Sequence, residues 1–192
     1  AELLKKTFLG IMLPLLLISP LILVFNVKPV ATGNTIYIRP DGSVDPLTAP
    51  ISTINNITYT FTDNIYDLIV VERDNIVIDG AGYTLQGTGL GNGLYWSGVN
   101  NVTVKNTNIK DFYFAISIEN SSNNTISRNN ITNNGEGISL SDSSNNTIRG
   151  NNITNNNNFG IFMFYSNNTN ISGNTITNNG AGISLWGPSN FI

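Results

Sequence analysis

Carboxylates are the side chains with which this 192-residue chain could most readily do chemistry, because it contains no histidine and no cysteine. A polysaccharide lyase or hydrolase needs grouped carboxylates, commonly beside a lysine or arginine. Glu72 and its neighbour Arg73 are interpreted as a solvated ion pair. After Glu119 the few charged residues fall at different positions of the repeat described below; they are Arg128, Glu136, Asp142 and Arg149. The sequence therefore predicts no catalytic residues.

Metal binding also has few candidate ligands. Copper and other transition metals prefer His, Cys or clustered Met, and the chain has only Met12 and Met163 of these. Asp74 and Asp79 could supply oxygen ligands to calcium. Short turns favour aspartate as well, and we favour the turn interpretation. The sequence thus predicts no metal and no cofactor.

Asparagine offers a different chemistry, the attachment of glycans. Nine Asn-x-Ser/Thr sequences occur in the chain, and in a secreted protein such sequences are acceptors for N-glycosylation. Because asparagines stacked inside a repeat would be inaccessible, we predict Asn56 and Asn120 as the better candidates.

The first 33 residues differ in composition from the remainder. Lys5 and Lys6 precede an apolar run from Phe8 to Phe25, and a stretch of small residues follows it. This order is typical of a secretory signal peptide. The run is also nearly long enough for a retained membrane anchor, so residues 1–33 are predicted to be a signal or anchor helix, with cleavage favoured.

An internal repeat of about 22 residues must position any functional site. Asparagine-rich sequence by itself would suggest disorder. However, large apolar residues keep register through four successive units, and this regularity predicts a folded repeat. The four columns are Val104/Ile126/Ile148/Ile171, Ile109/Ile131/Ile153/Ile176, Ile116/Ile138/Ile161/Ile183 and Ile118/Leu140/Met163/Leu185.

Each unit holds three short strand-like pieces separated by Asn, Gly and Ser, which predicts an all-β, right-handed parallel β-helix with three strands per coil. Asparagine tolerates the left-handed conformation of tight corners, and stacked amides can bond between coils. We assign these ladders to the columns Asn101/Asn123/Asn145/Asn167 and Asn108/Asn130/Asn152.

The predicted organisation has three parts. Residues 1–33 are the signal peptide or anchor, residues 34–74 form an N-terminal cap with its first strands, and residues 75–192 form the coils. A cap is expected because an exposed strand edge invites unwanted pairing. The last four residues match the start of another coil, so we expect the natural protein to continue beyond Ile192.

Particular motifs in residues 34–192 resemble a known family. The sequences Ile36-Tyr37-Ile38-Arg39-Pro40-Asp41-Gly42 and Asp79-Gly80-Ala81-Gly82, with the repeated Asn-Asn-Ile-Thr-Asn-Asn units, are similar to secreted right-handed parallel β-helix proteins of archaeal cell surfaces. These proteins are grouped with the NosD-like and the carbohydrate-binding and sugar-hydrolase repeat families. The resemblance implies the β-helix fold, but the copper role of NosD-type proteins conflicts with the missing ligands.

Aromatic residues supply the one candidate binding site. In the third strand of each coil the apolar columns point inward, so Phe162, Phe164 and Trp186 are predicted to point outward on successive coils. Grouped exposed aromatics usually mark an interaction surface. These three residues are therefore the predicted ligand-binding residues, unless a C-terminal continuation covers them.

Three functions remain open on this basis. The first is a non-catalytic, secreted or cell-surface module for structural display or adhesion. The second is a polysaccharide-binding module, and the third is part of a carbohydrate-active enzyme whose site lies elsewhere. The expected partners are polysaccharides or other cell-surface proteins, with a membrane contacted only through residues 1–33. Nucleic acid is not expected, because the net charge is −3 and only 11% of residues are charged.

The leader prediction has a direct test. Chain recovered from its native host should begin near residues 31–33, because cleavage follows the small residues at the end of the apolar run. N-terminal sequencing measures this. A membrane fraction that retains Lys5 would instead establish the anchor.

Overall fold

The computed structural model describes residues 33–187, and the strands there form a solenoid of three parallel sheets. Their bounds are β1 Thr35–Ile38, β2 Val44–Asp45, β3 Ile51–Thr53, β4 Thr58–Phe61, β5 Leu68–Val71, β6 Ile76–Asp79, β7 Thr84–Gln86, β8 Asn92–Ser97, β9 Val102–Lys105, β10 Asn108–Lys110, β11 Phe114–Glu119, β12 Thr125–Ser127, β13 Asn130–Thr132, β14 Glu136–Ser141, β15 Thr147–Arg149, β16 Asn152–Thr154, β17 Phe159–Phe164, β18 Asn170–Ser172, β19 Thr175–Thr177 and β20 Ala181–Trp186.

From β6 onward each coil contributes one strand to each sheet. The eight-stranded sheet has the order β2-β1-β5-β8-β11-β14-β17-β20, the seven-stranded sheet β18-β15-β12-β9-β6-β4-β3, and the five-stranded sheet β19-β16-β13-β10-β7. Pairing is parallel except for two antiparallel pairs near the N-terminus, β1 with β2 and β3 with β4. The predicted fold class, the repeat of about 22 residues and the three strands per coil are confirmed.

The first three members of each predicted apolar column lie in the core, whereas in the last described coil Ile171 and Ile176 are half-buried and Ile183 and Leu185 are 41% and 38% exposed. Ile126 pairs in register with Val104 and Ile148, and Ile131 pairs with Ile109 and Ile153. All of these side chains are at most 1% exposed. Burying one such side chain stabilises the fold by about 1.5–3 kcal/mol, and the stacked columns repeat this gain through the buried coils.

The asparagine ladders occupy different positions from those predicted. The predicted ladder residues Asn101, Asn123 and Asn145 are exposed and lie at corners in the left-handed conformation, with φ of 57°, 61° and 58°. The inward asparagine is the next residue, as at Asn124 and Asn146. A left-handed residue bends the chain at the corner, so the residue after it turns its side chain into the coil.

The column Asn108/Asn130/Asn152 is not the buried ladder either. The Asn152 amide donates to Asn130 Oδ1 at 2.8 Å, but on the exterior. One inward ladder runs one residue before these positions, and the others lie at different turns of the coil. The inward asparagine ladders are Asn129/Asn151/Asn174, Asn134/Asn156/Asn179 and the shorter pair Asn124/Asn146, and Ser121/Ser143/Ser166 form a further inward column in the same connection as Asn124.

Asn151 illustrates how a ladder residue is satisfied. Its Oδ1 accepts from the backbone N–H and the side-chain amide of Asn129, at 3.0 and 3.1 Å. Its Nδ2 donates to the Ile126 carbonyl and to Asn174 Oδ1, both at 2.9 Å. Each buried amide therefore satisfies backbone groups at a corner, where strand pairing is interrupted.

The N-terminal strands are tied together by charged residues. Arg39 donates to Asp45 at 2.6 Å and to Glu72 at 3.3 Å. Glu72 is therefore paired with Arg39, so the expected pair with Arg73 is wrong. Arg73 instead donates to the backbone carbonyls of Pro40 and Asn56. Parallel pairing of β1 with β5 places residues 33 positions apart side by side, which brings Arg39 to Glu72 and Pro40 to Arg73.

The predicted signal or anchor lies outside the described residues, apart from Gly33. Between residues 33 and 187 no helix is long and apolar enough to cross a membrane. The predicted domain boundaries, at residues 33 and 74, stay a prediction.

Two adjacent asparagines provide a test of the ladder. Asn151→Ala should lower the free energy of unfolding by about 2–4 kcal/mol, because it leaves buried donors and acceptors of Asn129 and Ile126 without partners. Asn152→Ala should change it by less than about 0.5 kcal/mol, since Asn152 is exposed. Urea unfolding followed by far-UV circular dichroism measures both, and equal effects would contradict the ladder assignment.

Candidate polysaccharide-binding face

The outer face of the eight-stranded sheet is the most distinctive surface of the coils. We define it by the outward side chains of β8, β11, β14, β17 and β20. In these strands a small residue precedes the first core isoleucine because neighbouring backbones approach closely there. A Cβ added at Gly160, for example, would lie 2.6 Å from the Gly182 carbonyl oxygen.

Two consecutive buried residues interrupt the alternation of each strand at this point. Both Gly137 and Ile138 are buried, and so are Gly160 and Ile161. The residue before each pair consequently joins the outer face. This position forms a column in register, Asn92/Phe114/Glu136/Phe159/Ala181.

The outer face carries two further columns. Ser117, Ser139, Phe162 and Ser184 are in register on successive strands, as are Glu119, Ser141, Phe164 and Trp186. The predicted site residues Phe162, Phe164 and Trp186 therefore lie on one face. Their role in binding stays a prediction.

The rings pack differently from a simple column. Phe162 stacks on Phe159 with centroids 5.2 Å apart, and Trp186 approaches Phe162 at 6.2 Å. Phe164, although in register with Trp186, packs edge-on against Tyr165 at 4.5 Å. We call Phe159, Phe162 and Trp186 the aromatic cluster.

Sequence reasoning missed Phe159. That reasoning took every second residue from the core isoleucines to be inward. Because Gly160 and Ile161 are both buried, this rule places Phe159 on the wrong side of the strand. The signal was nevertheless present: Phe114 and Phe159 occupy the same repeat position as Glu136, at offsets of 22 and 23 residues.

Glu136 is the second residue that sequence reasoning left without a role. It lies in register between Phe114 and Phe159 and is 8% exposed. Burial raises the pKa of its carboxyl, and a hydrogen bond with Ser139 opposes that rise. One carboxyl oxygen, Oε2, is buried without a hydrogen-bond partner.

Glu119 is the other carboxylate on the outer face. Its Oε2 accepts a hydrogen bond from the Tyr95 hydroxyl at 3.1 Å. Burial and the neighbouring carboxylate raise the pKa of Tyr95. Glu119 pairs with Ser141 on the neighbouring strand, and Ser141 lies five residues after Glu136. The backbone positions of Glu119 and Glu136 are therefore roughly 16 Å apart along the strand direction.

The acidic residues considered for calcium are engaged by the protein itself. Asp79 forms a 3.0 Å ion pair with Lys105. Burial opposes ionisation of Asp79, yet hydrogen bonds from Ala81, Asn106 and Lys105 outweigh it and hold the pKa below its ordinary value. Asp74 accepts from the Asn100 backbone. Residues 33–187 contain no cluster of three or more Asp, Glu, His or Cys able to hold a metal.

The predicted glycosylation candidates Asn56 and Asn120 are exposed, with left-handed φ of 53° and 47°. Asn101, Asn123 and Asn145 are equally exposed. The expectation that stacked asparagines would be inaccessible therefore does not apply to these three. The use of any acceptor stays a prediction.

Comparisons with known proteins concern the fold. A family model described as the right handed beta helix region matches residues 33–192. No curated protein matches the sequence. The crystal structure of an alginate lyase from Paenibacillus sp. str. FPU-7 is similar with a TM-score of 0.46 and 20% identity, over 56% of this chain and 50% of that chain. This chain thus spans half the length of that lyase.

Glu136 makes stability depend on pH. Because its pKa is raised above 4.5 in the folded state, the folded chain holds this proton more tightly than the unfolded chain. Stability is therefore lost as pH rises through the raised pKa. Glu136→Gln should unfold at higher urea concentration than the parent at neutral pH, and the advantage should vanish at pH values below the ordinary pKa. An identical pH dependence in both proteins would contradict this role.

Proposed function

We propose that this chain, which belongs to the right-handed β-helix family through residues 33–192, is a non-catalytic extracellular module that binds polysaccharide on its outer face. The observation that carries the proposal is the aromatic cluster. Phe159, Phe162 and Trp186 form one continuous group of rings on three strands of a sheet.

Such a surface suits a sugar chain. The exposed ring of Trp186 and the neighbouring Phe164 are 59% and 37% accessible, and grouped exposed aromatics usually mark an interaction surface. Aromatic rings offer broad apolar faces with a defined geometry. Ser139 and Ser141 lie in the same columns one strand away, and their hydroxyls can exchange hydrogen bonds with sugar hydroxyls.

The arrangement of carboxylates favours binding over turnover. The two carboxyl groups of a glycoside hydrolase are about 5–9.5 Å apart. On the outer face the backbone positions of Glu119 and Glu136 are roughly 16 Å apart along the strand direction. Glu136 is also buried, which limits how far its side chain can move toward a partner.

The predicted leader supports an extracellular position. The absence of cysteine does not oppose it, because stacked columns and ladders stabilise the coils without disulfides. Display or adhesion at a cell surface through a polysaccharide is the function proposed, in line with the resemblance to secreted archaeal β-helix proteins.

Affinity electrophoresis through gels that contain a soluble polysaccharide tests the proposal. The probes are glycol chitosan, hydroxyethylcellulose and alginate. The chain should be retarded by at least one, and Phe164→Ala with Trp186→Ala should weaken this retardation about tenfold or more. Both side chains are exposed, so the double variant should keep its stability within about 1 kcal/mol.

Tyr83→Ala is the matched control, because Tyr83 is an exposed aromatic residue away from the outer face. It should bind like the parent. The same incubations should release no reducing ends and no unsaturated sugars. Retardation that is insensitive to the double variant, or absent with every probe, would overturn the proposed binding face.

A further inference from the structure

The charges of the outer face are all negative. The strands β8, β11, β14, β17 and β20 contain Glu119 and Glu136 and no lysine or arginine. The basic residues of the coils lie on other sheets or at corners: Lys105 and Arg149 in the seven-stranded sheet, Lys110 in the five-stranded sheet, and Arg128 at a corner. A ligand of the outer face therefore meets carboxylates without compensating cations.

One oxygen of the Glu136 carboxyl group lacks a hydrogen-bond partner. The residue is more than nine-tenths buried, and its Oε2 has no hydrogen-bond donor within reach. A buried charged group left unpaired is costly. A donor that carries positive charge would relieve that cost, because charge-assisted hydrogen bonds are about twice as strong as neutral ones.

The surroundings of Glu136 suit such a donor. Phe114 and Phe159 flank it in register on the adjacent strands, and Phe162 stacks on Phe159. The faces of aromatic rings attract cations. A carboxylate set among phenylalanine rings is thus a site of the chemistry that recognises an ammonium group.

We infer that the polysaccharide taken by the outer face carries free amino groups, one of which pairs with Glu136 between Phe114 and Phe159. This inference rests on the proposed function and names its ligand class. Polysaccharides rich in carboxylates are disfavoured, since like charges brought together on one surface cost several kcal/mol. Neutral polysaccharides can stack on the rings but leave Glu119 and Glu136 without a counter-charge.

The experiment compares the same three probes at neutral pH and moderate ionic strength. Glycol chitosan, which keeps part of its amino groups protonated, should retard the chain about tenfold more strongly than hydroxyethylcellulose, and alginate least of all. Glu136→Gln should lower the ratio of affinities for glycol chitosan and hydroxyethylcellulose about tenfold, as expected for the loss of a charged hydrogen bond.

Asp63→Asn is the control for net charge. Asp63 is exposed and lies in the N-terminal part of the chain, so this variant removes one negative charge without touching the outer face and should keep the parent's ratio. Glu119→Gln, at a more accessible position, should lower the ratio as Glu136→Gln does, which guards against a Glu136 variant that folds poorly.

The outcomes separate the two proposals. Binding of hydroxyethylcellulose with no preference for glycol chitosan, or a preference that Asp63→Asn reduces as much as Glu136→Gln, overturns the amino-sugar inference and leaves the polysaccharide-binding function standing. Binding of alginate as tight as that of glycol chitosan overturns the inference in the same way. Absence of binding to all three probes overturns both.

Discussion

The corners of the coils are the constraint on which the remaining structure depends. Strand pairing satisfies backbone groups along the sheets but stops wherever the chain turns, and a buried polar group without a partner is costly. The inward amides solve this problem coil by coil. Asn129, for instance, donates to the Val104 carbonyl and to Asn151 Oδ1 in a neighbouring coil. A left-handed residue before each inward side chain makes the geometry possible, and this explains the abundance of Asn-Asn pairs.

Because ladders and apolar columns hold the coils, the outward positions are free to differ. The outer face uses this freedom: one column holds Ser117, Ser139 and Ser184 and yet contains Phe162. The proposed binding face depends on this variation, because a column of serine alone would present no aromatic ring. Glu136 is another such outward position. Its raised pKa indicates that burying the ionised carboxyl group between two phenylalanines destabilises the fold.

The core and the proposed binding face therefore share one strand. β14 contributes Ile138 and Leu140 to the core and Glu136 and Ser139 to the outer face. The rigid core beneath fixes the spacing of the outward groups before any ligand arrives, which lowers the ordering cost of binding. A preorganised surface that continues across several strands suits an extended chain better than a compact molecule.

The sequence by itself determined the repeat, the three strands in each coil and the four apolar columns, because large apolar residues recur at fixed offsets and must share one interior. It also placed Phe162, Phe164 and Trp186 on one surface, since alternation along a strand is a local property. Tertiary structure alone decided which asparagine of each pair turns inward, because that depends on the left-handed residue before it. It likewise decided that Glu72 meets Arg39 and that Glu136 lies between Phe114 and Phe159. These contacts join residues 22 to 33 positions apart, and their surroundings are set by how one coil stacks on the next.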